Sequence, residues 1–290
     1  MFVSSCRLLA TALLALLVNC TAAAQASAAQ GKLQLLHTSS GIRFGLLGEK
    51  GSTPAPTLFA FSGTMQQALE TVVGSRDINP NGGHILAEQG FLFIVMDLPC
   101  HGGDRKAGQP REGLDCWASQ LDRGEDFLPR FISNLSSILD FLIQQGYTDP
   151  GKVGAWGLSR GGFIALHFAA GDARVKWIAA FAPVTDLIVL HEFKNTQAAK
   201  KPALVTVAHK LTSQALWLWI GNDDLRVGTD SAVAFTRRVV ETASAQGKQA
   251  NVELHIAPTE AGANLNGHTI RPSAYEEAAA WMLTQMKKAK

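Results

Sequence analysis

The sequence predicts an α/β chain built on a mostly parallel sheet with helices on both faces. Three observations carry this: short apolar runs bounded by Gly, Pro, Asn or Asp, helix-period segments between them, and a glycine-flanked strand-to-helix turn at residues 157–162. Of the 290 residues, 47% are hydrophobic and 17% charged, which suffices for a sizeable buried core.

The amino-terminal segment has its own composition. Arg7 is its only charge, Leu8 opens an apolar run that ends at Val18, and small residues dominate from Thr21 to Ala29. This is the order of a secretory signal, so residues 1–28 are expected to be a signal peptide, with the mature chain starting between Gln25 and Gln30. The apolar run falls short of the roughly 20 residues that span a bilayer, so no stable membrane span is expected in the mature chain. Leu17-Val18-Asn19-Cys20 also looks like a bacterial lipoprotein box, although Asn19 is a poor residue before such a cysteine. The expectation is a secreted or periplasmic chain with one domain over residues 29–290. Cleavage would remove Cys6 and Cys20 and leave Cys100 and Cys116, either as a disulfide or as two free, partly buried thiols.

Residues 33–47 are expected to add an antiparallel pair at the start. Residues 57–61, 91–97, 153–156, 177–181, 215–221 and 252–257 read as buried strands, because each is short, apolar and bounded by turn residues. Helical periodicity marks residues 131–145, 160–170, 230–246 and 273–288; in the first, Ile132, Leu135, Ile138, Leu139 and Leu142 make one apolar face. Two stretches resist the alternation, 100–130 and 185–214. Both are expected to cover the open end of the sheet as cap or lid segments.

The net charge is +2, and Lys and Arg are scattered except in the last four residues, so no nucleic-acid face is implied. No His-x-x-x-His or paired Cys-x-x-Cys occurs, and no glycine-rich loop matches a nucleotide fingerprint. Neither a metal nor another cofactor is expected.

The chemistry centres on Gly157-Leu158-Ser159-Arg160-Gly161-Gly162. A serine presented at a sharp strand-to-helix turn needs glycines two positions to either side, and Gly157 and Gly161 stand there. A serine hydroxyl needs a base to take its proton and an acid to hold that base. Asp223 and Asp224 follow the apolar run 215–221, and His268 stands between the last strand-like and last helix-like runs. His255 falls within a strand-like run and reads as a packed residue.

With these motifs in the order Ser, Asp, His, the chain resembles the α/β-hydrolase superfamily, nearest the dienelactone-hydrolase-like and prolyl-oligopeptidase-like serine hydrolases, over residues 33–288. In those families the acid lies three residues after a glycine and three before a valine. Gly221, Asp224 and Val227 fit, which selects Asp224 over Asp223. The resemblance implies a catalytic Ser159, Asp224 and His268, with an oxyanion hole formed by the Arg160 N–H and an N–H in the loop after residues 57–61. Thr64 is the first choice there and Met65 the next. Lipase-like members carry His-Gly-Gly in that loop. Here His101-Gly102-Gly103 follows the next strand instead and reads as structural. Met65 and Arg226 are candidate substrate contacts; in prolyl-oligopeptidase-like enzymes an arginine two residues after the aspartate binds a substrate carbonyl.

The expected function is an exported serine hydrolase that cleaves a small carboxylic ester through an acyl-enzyme. A single compact catalytic domain favours an ester over a peptide. The alternatives are a serine peptidase acting on small peptides and a catalytically silent binding protein. The oligomeric state is left open.

Overall fold

The computed structural model describes residues 32–74, 82–108, 112–194, 196–258 and 266–288; the signal peptide expected at residues 1–28, with Cys6 and Cys20, lies outside them. Its strands are β1 (Gln34–His37), β2 (Arg43–Leu47), β3 (Ala55–Phe61), β4 (Leu92–Val95), β5 (Thr148–Leu158), β6 (Val175–Phe181), β7 (Ala215–Gly221) and β8 (Asn251–Ala257). They form one sheet in the order β1-β2-β4-β3-β5-β6-β7-β8. β2 runs antiparallel to β1 and β4, and every other pairing is parallel.

The helices are α1 (Met65–Val73), α2 (Gly82–Ala87), α3 (Leu114–Asp122), α4 (Leu128–Gln144), α5 (Arg160–Gly171), α6 (Leu204–Val207), α7 (Thr229–Ala245) and α8 (Ser273–Lys288). On one face Leu139 of α4, Phe163 of α5 and Phe235 of α7 share a core with Phe59, Ile178 and Leu218 of the sheet. On the other, Val72 of α1, Leu86 of α2 and Met282 of α8 pack with Leu58, Trp156 and Trp217. The parallel strands are therefore covered twice, which is why β7 reads as one unbroken apolar run.

The sequence expectation differs from the structure in local ways. The strand expected at 91–97 is only Leu92–Val95, and the one at 153–156 extends to Thr148–Leu158. The extension carries Pro150 and Gly151 and pairs through a register shift, Thr148 facing Ala55 and Val153 facing Thr57.

The described residues of the two stretches expected to be cap or lid segments are packed against the core. Between 100 and 130, α3 buries Leu114, Cys116, Trp117 and Leu121, and Cys100 and Cys116 form a disulfide. The Trp117 indole N–H donates to the Pro99 carbonyl at 2.6 Å. Between 185 and 214, short 3-10 turns and α6 bury Leu187, Phe193, Leu204 and Leu211. His167 of α5 ties that segment down through Nε2, 2.8 Å from the Pro202 carbonyl.

Candidate active site

The turn between β5 and α5 fixes Ser159 by backbone crowding. A Cβ on Gly157 would come within 2.2 Å of the Gly161 carbonyl, and a Cβ on Gly161 within 2.2 Å of the Phe61 carbonyl. Only glycine fits at either place, so β5 can turn into α5 directly against the end of β3. Ser159 itself has φ 56° and ψ −115°, a region that costs a side-chain-bearing residue of order 1–3 kcal/mol. The strain is held by two backbone bonds, from Ser159 N–H to the Phe181 carbonyl at 2.8 Å and from Val184 N–H to the Ser159 carbonyl at 3.1 Å.

Asp224 lies in the turn after β7 and is buried. Its Oδ1 accepts from the N–H groups of Arg226 and Val227, both at 3.0 Å, which closes the turn and accounts for the spacing of acid and valine. Its Oδ2 is 2.8 Å from His268 Nδ1. The carboxylate holds the hydrogen on Nδ1, so Nε2 is left to accept from the Ser159 hydroxyl at 3.1 Å. The loop carrying His268 is tied to the acid's turn by the Leu225 N–H, which donates to the Asn266 carbonyl at 2.8 Å. Asp223 is solvent-exposed beside this chain of bonds.

Ser159 and His268 open on a cleft of about 410 Å³, with Asp224 buried behind the histidine; the walls of the cleft also include Gln67, Arg160, Ile270 and Tyr275. The Arg160 N–H opens α5 and has no intrahelical partner by its position. The two N–H groups considered in the loop after β3 are both engaged. Thr64 N–H donates to the Gln67 side-chain oxygen at 3.0 Å, in a capping box whose other half runs from Gln67 N–H to the Thr64 hydroxyl. Met65 N–H donates to Asp97 Oδ1 at 2.7 Å.

Met65 and Arg226, the candidate substrate contacts, are not among the residues that line this cleft, although the charge of Arg226 reaches Arg160 in its wall. The Met65 side chain lines a separate depression with Ile42, Arg43 and Asp97. The Arg226 guanidinium is clamped by Glu192 at 2.6 and 2.9 Å and meets His191 Nδ1 at 3.1 Å. The offset of Arg226 from Asp224 carries no sign of a carboxylate 34 positions earlier in the chain. The His101-Gly102-Gly103 turn serves the scaffold: Asp97 Oδ2 accepts from Gly103 N–H at 2.9 Å while its other oxygen holds Met65. His101 is buried, its Nδ1–H directed at the Pro99 carbonyl at 2.8 Å, and burial lowers its pKa, so the ring is neutral. Sequence reasoning did not find Gln67, whose only signal was the capping-box spacing from Thr64.

A sequence profile of the prolyl oligopeptidase family matches residues 131–289, more than half of the chain. Among curated proteins, a polyketide transferase, claH of Penicillium crustosum, is 29% identical over 98 residues, which is 34% of this chain and 27% of that protein. Among solved structures, a putative dipeptidyl aminopeptidase IV from Bacteroides ovatus superposes with a TM-score of 0.61 at 16% identity, covering 87% of this chain and 35% of that one. The acylaminoacyl peptidase of Pyrococcus horikoshii gives 0.58 at 15% identity over 89% and 41%. Acetyl xylan esterase 1 from Thermoanaerobacterium gives 0.56 at 15% identity over 90% and 91%. These structural likenesses speak to the fold alone. The chain spans about a third of the length of the peptidase from B. ovatus and about a quarter of the transferase.

Proposed function

The chain belongs to the prolyl oligopeptidase family of serine hydrolases, and we propose that it cleaves small carboxylic esters through an acyl-enzyme on Ser159. The observation that carries this reading is the unbroken chain of hydrogen bonds from Ser159 Oγ through His268 to Asp224, at 3.1 and 2.8 Å.

In the reaction, His268 Nε2 takes the Ser159 proton as Oγ attacks the acyl carbon, and Asp224 stabilises the imidazolium that forms. The tetrahedral oxyanion receives the Arg160 N–H and, once the Gln67 oxygen gives way, the Thr64 N–H. His268 returns the proton to the departing alkoxide, and the C–O bond breaks. A water activated by the same imidazole then releases the acid and regenerates Ser159. An ester is the substrate class proposed because an alkoxide leaves the tetrahedral intermediate more readily than an amine, which His268 must protonate before it can depart. We also propose export by way of residues 1–28, a reading supported by the leader's composition and by the Cys100–Cys116 disulfide, a bond of oxidising compartments.

The second reading is peptide hydrolysis, favoured by the family profile itself. A panel of short-chain aryl esters and dipeptide amides on wild type and Ser159→Ala separates the two. The expected result is ester turnover that exceeds amide turnover and falls by several orders of magnitude in the variant. Amide turnover equal to or above ester turnover would replace the ester reading with the peptidase one, and unchanged rates in Ser159→Ala would overturn both.

A further inference from the structure

The cleft beside Ser159 carries a cation whose charge the protein does not neutralise. Arg160 lines the cleft next to the nucleophile, half-buried, and among the described residues its guanidinium has neither an ion pair nor a hydrogen bond. The carboxylates whose fields reach it are Glu192 and Glu112, and both are committed elsewhere. Glu192 is clamped by Arg226 through both oxygens, at 2.6 and 2.9 Å. Glu112 accepts from Gly102 N–H at 3.2 Å and lies 3.9 Å from Arg105.

Two glycines let the guanidinium lie close against the backbone: a Cβ on Gly113 would stand 3.5 Å from Nη1 and 3.3 Å from His101 Nε2, which is buried without a partner, and a Cβ on Gly63 would stand 3.3 Å from Nε. His101 is neutral and adds no charge. Burial, and after it the nearby charge of Arg226, lowers the Arg160 pKa from its ordinary value, but a guanidinium stays protonated at neutral pH. The other charged residue of the cleft wall, Glu70, lies farther along α1, where it accepts from Gln66 at 3.2 Å. A half-buried arginine left without a counter-ion in a substrate cleft is matched by a carboxylate, which its planar fork can take in two parallel hydrogen bonds.

We propose that Arg160 selects esters that carry a free carboxylate, pairing its guanidinium with that group while Ser159 attacks the ester carbonyl. The proposal rests on the ester-hydrolase reading above and adds the substrate class to it. The carboxylate can belong to the acyl part or to the leaving alcohol, and two matched substrate pairs distinguish them. For the acyl side these are 4-nitrophenyl hydrogen adipate and its methyl ester; for the alcohol side, 4-acetoxybenzoate and 4-acetoxybenzamide.

The quantity measured is the ratio of kcat/KM for acid over neutral substrate, which cancels changes common to both. In wild type one pair should give a ratio of about 10 to 100, the size of a charge-assisted hydrogen bond in a partly buried site. Arg160→Met should bring it to about 1, and raising the salt from about 0.02 to 0.5 M should lower the wild-type ratio severalfold without any variant. A ratio near 1 in both pairs, or the same ratio in wild type and variant, overturns the proposal. Failure of the ester reading is visible separately, as absence of Ser159-dependent turnover of the neutral esters. In that case calorimetry with adipate still decides: Ser159→Ala should bind it at least about tenfold more tightly than Ser159→Ala/Arg160→Met, and equal binding rejects the site.

Discussion

The two walls of the cleft are built on opposite principles. On the wall formed by the ends of β5 and β7 and the loop before α8, the polar atoms are committed to one arrangement. Ser159 Oγ meets one histidine nitrogen, Asp224 Oδ2 meets the other, and Asp224 Oδ1 is held by two backbone N–H groups. On the wall formed by the loop after β3 and the start of α5, the commitments are loose or missing. Thr64 N–H rests on an exposed glutamine side chain, and the Arg160 guanidinium has no partner among the described residues. In the proposed mechanism the first wall is preorganised for a proton transfer that is the same for every substrate. The second has one donor held by a displaceable side chain, Thr64 N–H, and one left without a protein partner among the described residues, the Arg160 guanidinium, so substrate choice is expected to reside there.

The largest expected effect breaks the committed wall. Asp224→Asn keeps the shape but no longer holds the Nδ1 hydrogen, so kcat should fall by about 10⁴ with little change in folding, as measured by ester turnover and circular dichroism. A fall below tenfold would mean that Asp224 does not orient His268.

Stability should depend on how the flanking segments are fastened, and here the fastenings differ. The segment around α3 is closed covalently across a separation of 16 residues, so Cys100→Ala/Cys116→Ala should lose about 3 kcal/mol in urea unfolding. The segment at 185–214 is held through His167, whose pKa burial lowers from 6.5 to about 4. The folded ring stays neutral while the unfolded chain takes up a proton between those values. Its contribution is therefore intact above about pH 6.5 and is lost as the pH falls toward 4, by up to about 3 kcal/mol. His167→Gln, which keeps a donor for the Pro202 carbonyl, should flatten that part of the stability profile. A slope that survives the substitution would assign it to other groups.

The smallest effect sharpens the loose wall. Gln67→Ala removes the oxygen that occupies Thr64 N–H, so kcat/KM should rise a few-fold, while the lost half of the capping box costs about 1 kcal/mol of stability. A rate that drops instead would mean that Gln67 itself touches the substrate.

The same contrast explains what could be read from the sequence. The strand pattern was legible because parallel strands buried on both faces are continuous apolar runs, and residues 157–162 were legible because only glycine survives the approach of α5 to β3. The choice of Asp224 over Asp223 followed from a local turn whose spacing is written in the chain. The segment around α3 was not legible, because Leu114-Asp115-Cys116-Trp117 mixes polar and apolar residues and its burial depends on a disulfide and on Pro99. Nor were the states of Thr64, Arg160 and Arg226. Thr64 is set by a glutamine one turn away, and the pairing of Arg226 and the isolation of Arg160 depend on residues brought together from distant parts of the chain.

The measurement closest to the central claim is covalent labelling with a fluorophosphonate, followed by intact-mass and peptide analysis. Wild type should gain one adduct, located on Ser159, that requires His268 and is absent from Ser159→Ala. No adduct on the folded wild-type protein, or one on another residue, would contradict an acyl-enzyme mechanism at this site.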